Sequence, residues 1–328
     1  MAARPAADLR EPDLADVLAA RRIVDRHLRR TPLLNPAGLS ELLGADVYVK
    51  CENMQPIGAF KIRGGINLGY HLTPAERAGG LVTASTGNHG QSIAYAARTF
   101  GVRATIYAPE GANQFKLASM RRLGADVVLF GKDFDDARAR AEEDAVETGA
   151  RFVSSGDEPL LIAGVGTATL EVLEEVPDLD YLFVPVGGGS GASGAAIVAK
   201  AINPRLKVIG VQAAGAPAVY ESWKARRPVS LGRPETFADG LATRVPFELP
   251  LRIMIRLLDD MLTVSEEELR EAVVLYLEQA HQVAEGAGAA PLAGARKLGG
   301  AIGGKKVGLI LSGGNLTLET LRSILAGA

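Results

Sequence analysis

Short apolar runs alternate with longer helical segments along residues 81–211, and this rhythm constrains the fold more than any other feature of the chain. Runs over 81–84, 104–108, 126–130, 181–186 and 206–211 read as strands. Helices are expected over 90–100, 113–123, 134–147 and 159–175, with one more ending near 201; Phe152 and Val153 open a further unit. Alternation with short links predicts a parallel sheet covered by helices on both faces. Ahead of it, Asp13 can cap a helix reaching about residue 29, with Leu14, Val17, Leu18, Val24 and Leu28 on one face, and Thr31-Pro32 ends it. Residues 45–51 read as a strand and 62–71 as a helix, with a turn around Lys61 between them. Behind it, 213–250 breaks the rhythm, because Pro217, Pro228, Pro234, Pro246 and Pro250 make long regular elements unfavourable. A Ser265/Glu268 capping box opens a helix to about 282, a Gly/Ala-rich helix follows over 287–298, and 306–311 is the last strand.

The composition removes several classes of function. Of 328 residues 47% are apolar and 23% charged, as in ordinary globular proteins, and the formal net charge of −2 gives no reason to expect nucleic acid as a partner. Cys51 is the single cysteine, so no intrachain disulfide framework or multi-cysteine metal site can form. His27, His71, His89 and His281 are scattered without metal-ligand spacing. No run approaches the ~18 apolar residues a membrane span needs. Asp8, Glu11, Asp13 and Asp16 argue against a transit peptide, and a signal-peptide core is missing, so a cytoplasmic enzyme is expected.

Ligands of open parallel sheets bind beyond the carboxyl ends of the strands. Three loops lie there. Ser85-Thr86-Gly87-Asn88-His89-Gly90-Gln91 offers hydroxyls, an amide and main-chain N–H groups at a helix start, a place for a carboxylate or phenolate oxygen. Gly187-Gly188-Gly189-Ser190-Gly191 and the residues to Gly194 can curl so that consecutive N–H groups face one phosphate. Gly189, Gly191 and Gly194 also spell G-x-G-x-x-G, but no acid follows at the end of the next strand, where Gln212 stands, so a dinucleotide is the weaker guest. Ser312-Gly313-Gly314-Asn315 offers a neutral hydroxyl at the end of the last strand. Lys61 lies between Phe60 and Ile62 after Gly58. Taken alone it is better explained as an ordinary lysine laying its stem along an apolar surface. Desolvated, its amine would become a nucleophile toward carbonyls. The P-loop spacing over 299–305 is set aside, because Lys306 replaces Ser or Thr and the segment precedes a strand.

A reactive lysine, a phosphate cradle, an asparagine loop and a serine turn together suggest pyridoxal 5'-phosphate (PLP). In these stretches, and in Lys50-Cys-Glu-Asn-Met-Gln, Ala238-Asp-Gly-Leu-Ala and Glu285-Gly-Ala-Gly-Ala-Ala, the sequence resembles the fold-type II PLP-dependent enzymes, in the branch of threonine/serine dehydratases and serine racemases. The motifs occur in the family's order over nearly the whole chain. The resemblance implies a tryptophan synthase beta-like α/β fold: two open, mostly parallel sheet domains with the cofactor in the cleft between them. Residues 1–77 and 158–328 would form the large domain, and 78–157 a small mobile domain carrying the asparagine loop.

On the same resemblance, Lys61 would hold PLP as a Schiff base and later remove the substrate's α-proton. Phe60 would pack beside the ring, Asn88 would bond its 3-oxygen, Gly187, Gly188, Gly189, Ser190 and Gly191 would bind the phosphate, and Ser312 would bond the ring nitrogen. Ser85, Thr86, Gly87, Asn88 and His89 would receive the substrate carboxylate. The implied reaction is dehydration and deamination of L-threonine to 2-oxobutanoate and ammonia, or of L-serine to pyruvate. The same elimination on another 3-hydroxy amino acid such as hydroxyaspartate, a serine racemase-like activity, and more remotely an NAD-linked oxidoreductase are the alternatives. A homodimer or homotetramer is implied. Ala59 stands where many relatives have Ser, and Thr86 where racemising relatives carry a serine base. Gln212, Ala216 and Ala218 replace the acids of metal-binding relatives, so no divalent cation is expected there. Feedback through a C-terminal regulatory domain is not expected either.

Overall fold

The computed structural model describes residues 9–327; Asp8, used above against a transit peptide, lies outside them. The strands are β1 (Leu33–Leu34), β2 (Asp46–Cys51), β3 (Leu81–Ala84), β4 (Ala104–Ala108), β5 (Asp126–Leu129), β6 (Arg151–Phe152), β7 (Tyr181–Pro185), β8 (Lys207–Ala213), β9 (Asp260–Val264) and β10 (Lys306–Leu311). They form two sheets. One has six strands in the order β1-β2-β10-β7-β8-β9, parallel except for β1 against β2; the other has four parallel strands in the order β5-β4-β3-β6. The four-strand sheet is built from chain inserted between β2 and β7.

The helices are α1 (Leu14–His27), α2 (Ala37–Leu43), α3 (Lys61–Tyr70), α4 (Pro74–Gly79), α5 (Asn88–Phe100), α6 (Gln114–Arg122), α7 (Phe134–Thr148), α8 (Pro159–Glu175), α9 (Ser190–Ile202), α10 (Ala218–Ala225), α11 (Glu248–Leu257), α12 (Glu266–Ala280), α13 (Gly286–Leu298) and α14 (Leu318–Ala326). Alternate residues of the central strands feed two cores, as the period of two requires. Val307, Leu309 and Leu311 of β10, with Phe183 and Val211, pack under α12 and α13. Ile310, Leu182, Val184 and Val208 face α8 and α9 on the other side. In the second sheet, Val82, Ala84 and Tyr107 pack on Ala137, Ala141 and Ala145, a stripe spaced four residues apart on α7.

Most expected elements are present within a residue or two. Asp13 caps α1 in a full capping box with Asp16, and Ser265 with Glu268 does the same for α12. Four expectations need correction. Leu18 is 46% exposed, off the buried face of α1. Lys61 is the first residue of α3 rather than part of a turn. The irregular 213–250 stretch contains α10, with Pro217 at its N-cap, and the start of α11, with Pro250 in its first turn, where a missing N–H costs no helical bond. The last edge strand of the larger sheet, β9, and the closing helix α14 were not expected.

Candidate active site

β2, β10 and β7 are adjacent and parallel, with Leu311 opposite Cys51 and Leu309 opposite Phe183. The chain leaving these three strands therefore emerges at one end of the sheet. It supplies the Lys61 segment, the Ser312 turn and the Gly187 loop, while the β3–α5 loop arrives from the second sheet. Phe60 N–H bonds Ser312 O at 2.9 Å, and Ala59 and Gly313 form an isolated antiparallel bridge, so the segments before Lys61 and after β10 are stitched together.

Lys61 projects from the first turn of α3. Its Nζ donates to Ser190 Oγ at 2.7 Å and lies 3.5 Å from Ser155 O, and no carboxylate among the described residues pairs with it. Burial pulls its pKa down from 10.5 to about 8. Ser92 of α5 donates to Lys61 O at 2.6 Å and holds the main chain from the other side. Behind Lys61, Arg63 uses its whole fork. It contacts Glu52 through Nε and Nη2 (2.7 and 2.8 Å) and Glu171 through Nη1 and Nη2 (2.7 and 2.8 Å). Lys50 Nζ completes this buried group on Glu171 at 2.6 Å.

Gly189 caps α9 with a left-handed φ of +89°, which turns the preceding glycines toward the helix start. The N–H groups of Gly187 through Ala192 have no acceptor among the described residues. They form a cluster of orphan donors at a helix N-terminus, suited to a phosphate dianion. The Phe60 ring packs over Gly191, where a Cβ would come within 2.9 Å of it. Phe60, Gly191, Pro185 and Ser312 border one small cavity. Ser312 is 3% exposed, and no hydrogen bond of its hydroxyl to a described residue is found.

The asparagine loop splits into braces and open donors. Ser85 Oγ accepts from Gly87 N–H (3.2 Å) and Gly90 N–H (2.8 Å), so its hydroxyl shapes the loop. Thr86, Asn88 and His89 keep free main-chain N–H groups among the described residues. The His89 ring is turned into the second sheet, with Nε2 on Thr83 Oγ1 at 2.9 Å while Thr83 donates to Val153 O at 2.7 Å. Burial, and then the charge of Lys61, push its pKa down to about 3, so the ring is neutral and offers a carboxylate no charge. Asn88 Nδ2 donates to Glu285 Oε1, and its Oδ1 accepts from Asn315. Glu285, Asn315, Ser155 and Ser92 were given no role by sequence. The signal for Glu285 was present: a lone acid inside an apolar Gly/Ala stretch implies a buried carboxylate with a partner.

The third glycine of the G-x-G-x-x-G serves packing. A Cβ on Gly194 would meet Ile162 O at 2.7 Å and Gly166 N at 2.9 Å, where α9 crosses α8. Gln212, where a ribose-binding acid would stand, gives Oε1 to Tyr220 N–H at 2.8 Å, inside the first turn of α10. No group of three His, Cys, Asp or Glu able to hold a metal occurs among the described residues.

Fold and site together define a two-sheet α/β enzyme that holds a phosphate-bearing cofactor against a half-buried, poorly solvated lysine. The chain belongs to the pyridoxal-phosphate dependent enzyme family, whose model matches residues 24–313. It is 42% identical over 313 residues to an L-threonine ammonia-lyase of Thermotoga maritima, covering 95% of this chain and 78% of that one. It is 36% identical to the L-threo-3-hydroxyaspartate ammonia-lyase of Saccharomyces cerevisiae, covering 96% and 97%. The processed form of threonine deaminase isoform 2 from Solanum lycopersicum superposes with a TM-score of 0.91 at 33% identity, over 96% of this chain and 87% of that one. Family membership removes the NAD-linked reading. The orphan N–H cluster, the unpaired Ser312 hydroxyl and the desolvated Lys61 fit the pieces of PLP: phosphate, ring nitrogen and aldehyde.

Proposed function

We propose that this chain is a PLP-dependent ammonia-lyase that dehydrates and deaminates L-threonine, and L-serine as a second substrate. The observation that carries the reading is Lys61, a half-buried amine with a pKa near 8 and no carboxylate partner among the described residues, set between the free N–H groups of the α9 and α5 starts. Bound PLP supplies an electron-poor ring that takes up the charge left when the α-proton departs. The protein's part is to bind, orient and move protons. The N–H groups of Gly187 through Gly191, with Ser190, receive the phosphate. Phe60 packs beside the ring, and Asn88 reaches its 3-oxygen. The N–H groups of Thr86, Asn88 and His89 receive the substrate carboxylate, with Ser85 and Gly87 shaping the loop. Lys61 takes the proton from the α-carbon as general base, a role its lowered pKa suits near neutral pH. Ser312 meets the ring nitrogen with a neutral hydroxyl, which protonates that nitrogen less than an acid would and favours prompt loss of the β-hydroxyl.

The strands of the second sheet fall within 81–152, which supports a small domain over 78–157 that carries the asparagine loop and closes on the large domain of 1–77 and 158–328. Lys116–Asp239 and Arg244–Asp135 ion pairs bridge the two. A homodimer or homotetramer working in the cytoplasm completes the proposal; no helix among the described residues is long and apolar enough to cross a membrane. The relative covered over 97% of its length acts on hydroxyaspartate, which makes that amino acid the second substrate class to test. Steady-state kinetics on L-threonine, L-serine and L-threo-3-hydroxyaspartate, reading oxo acid and ammonia, decide the matter. Turnover is expected to be fastest on L-threonine and absent in Lys61→Ala. Equal inactivity on threonine and serine would overturn the substrate assignment.

A further inference from the structure

We infer that Glu285 and Asn315 are positioning residues: together they hold the Asn88 amide in the orientation that presents an N–H, rather than its carbonyl, to the 3-oxygen of the cofactor ring. The inference rests on the proposed role of Asn88. Two acceptors fix the arrangement: a main-chain carbonyl oxygen, which can only accept, and the Glu285 carboxylate, whose pKa burial raises while Lys116 and the Asn88 bond oppose that rise. Ile57 O is the first: the Asn315 atom 2.9 Å from it must be Nδ2. That nitrogen has a second hydrogen, directed at Asn88 at 2.7 Å, so Asn88 presents Oδ1 there. Turned this way, Asn88 meets Glu285 Oε1 with Nδ2 at 2.7 Å, as an ionised carboxylate requires. One Nδ2 hydrogen remains, and no described residue accepts it. Reversing the amide would set oxygen against carboxylate on one side and N–H against N–H on the other, in a partly buried cluster.

The surroundings are built around this relay. A Cβ on Gly313 would come within 2.5 Å of Glu285 Oε1, so the glycine after Ser312 leaves room for the carboxylate. Glu285 N–H bonds Gly313 O at 3.0 Å, tying the two segments together. Glu285 stands at the N-cap of α13 without capping the helix through its side chain, so removing the carboxylate does not uncap α13. The relay also spans the two sheet units: Asn88 opens α5 beside the second sheet, whereas Glu285 and Asn315 flank α13 and β10 of the first.

The test compares apoprotein affinity for PLP and for its 3-deoxy analogue, read from the visible band of the bound cofactor. A charge-assisted hydrogen bond to the 3-oxygen should give wild type a preference of about 10-fold or more for PLP. Asn88→Ala should abolish that preference. Glu285→Ala and Asn315→Ala should each cut it severalfold, while Glu285→Gln, which keeps an acceptor for Asn88, should keep most of it. Overall loss of packing would weaken both ligands equally and leave the ratio unchanged. A ratio lost in Asn88→Ala but intact in both Glu285→Ala and Asn315→Ala overturns the inference and leaves the role of Asn88 standing. A ratio unaffected by Asn88→Ala overturns that role as well. Should Glu285→Ala not fold, Asn315→Ala decides by the same criterion.

Discussion

Replacing Arg63 by methionine should be among the most damaging single substitutions that leave every proposed cofactor contact in place. Arg63 is 0% exposed and joins Glu52, Glu171 and Thr167 through five N–H donors, with Lys50 on the far side of Glu171. In wild type Arg63 and Lys50, with Arg21 Nη1 3.2 Å from Glu171 Oε1 at the edge of the group, balance two buried anions. Methionine fills similar volume but leaves Glu52 with no cation in contact among the described residues and Glu171 with only Lys50 and the partly exposed Arg21. Removing one partner from a buried pair costs about 3–5 kcal/mol, and a comparable loss is expected here because the five bonds act as a unit and do not add. Against a typical total of about 5–15 kcal/mol this is a third or more of the stability. Arg63→Lys should also destabilise, because a compact ammonium cannot serve two carboxylates in fork geometry. Arg63→Met combined with Glu171→Gln should recover part of the loss by removing one stranded charge. Urea unfolding of the apoprotein, followed by fluorescence of the single Trp223, reads the change. The pH dependence gives a further check. Burial would raise the Glu171 carboxyl, but Arg63 and Lys50 outweigh it and hold the pKa below 4.5. This contribution is complete above pH 4.5 and fades as pH falls through the folded value. The gap between wild type and Arg63→Met should therefore narrow below pH 4.5. A substitution within about 0.5 kcal/mol of wild type at neutral pH, the range of ordinary surface changes, would refute the reasoning.

Two more outcomes follow from the site. The rate at which apoprotein takes up PLP should rise with pH and level off above about 8, where Lys61 is neutral, rather than near 10.5; stopped-flow absorbance across pH 6–11 reads the midpoint. Gly189→Ala forces a left-handed φ on a Cβ that would lie 2.6 Å from Met254 Cε and 2.9 Å from Pro250 Cβ. It should weaken PLP binding by about 10-fold or more for ~1–3 kcal/mol of strain, while pyridoxal, which lacks the phosphate, is much less affected.

The architecture was legible where local chemistry decided it. Short apolar runs alternating with helical segments gave the parallel strands, and Asp13, Asn113 and Ser265 stand at helix starts that the side-chain caps reproduce. Legibility failed where tertiary context overrode local signals. Pro217 and Pro250 looked like breakers, yet each sits in a helix start that tolerates it. Asp260–Val264 carries little strand signal of its own and is drawn into the sheet by pairing with β8. Lys61 announced itself through apolar neighbours, but its partner Ser190 lies in another helix, and the buried charges of Arg63 find Glu171 only after folding. Glu285 and Asn88 are 197 residues apart, beyond the reach of any spacing rule. His89 sits in the expected loop, yet its ring turns toward Thr83, a choice set by the second sheet rather than by the motif.

Borohydride reduction of the PLP-loaded protein, followed by peptide mapping by mass spectrometry, tests the central claim most directly, because reduction traps the cofactor on whichever amine holds it. The account predicts one pyridoxyl group per chain, on Lys61, and none in Lys61→Ala. A pyridoxyl group on Lys50, Lys116 or another lysine of the wild type, or no label on a protein that turns over threonine, would contradict it.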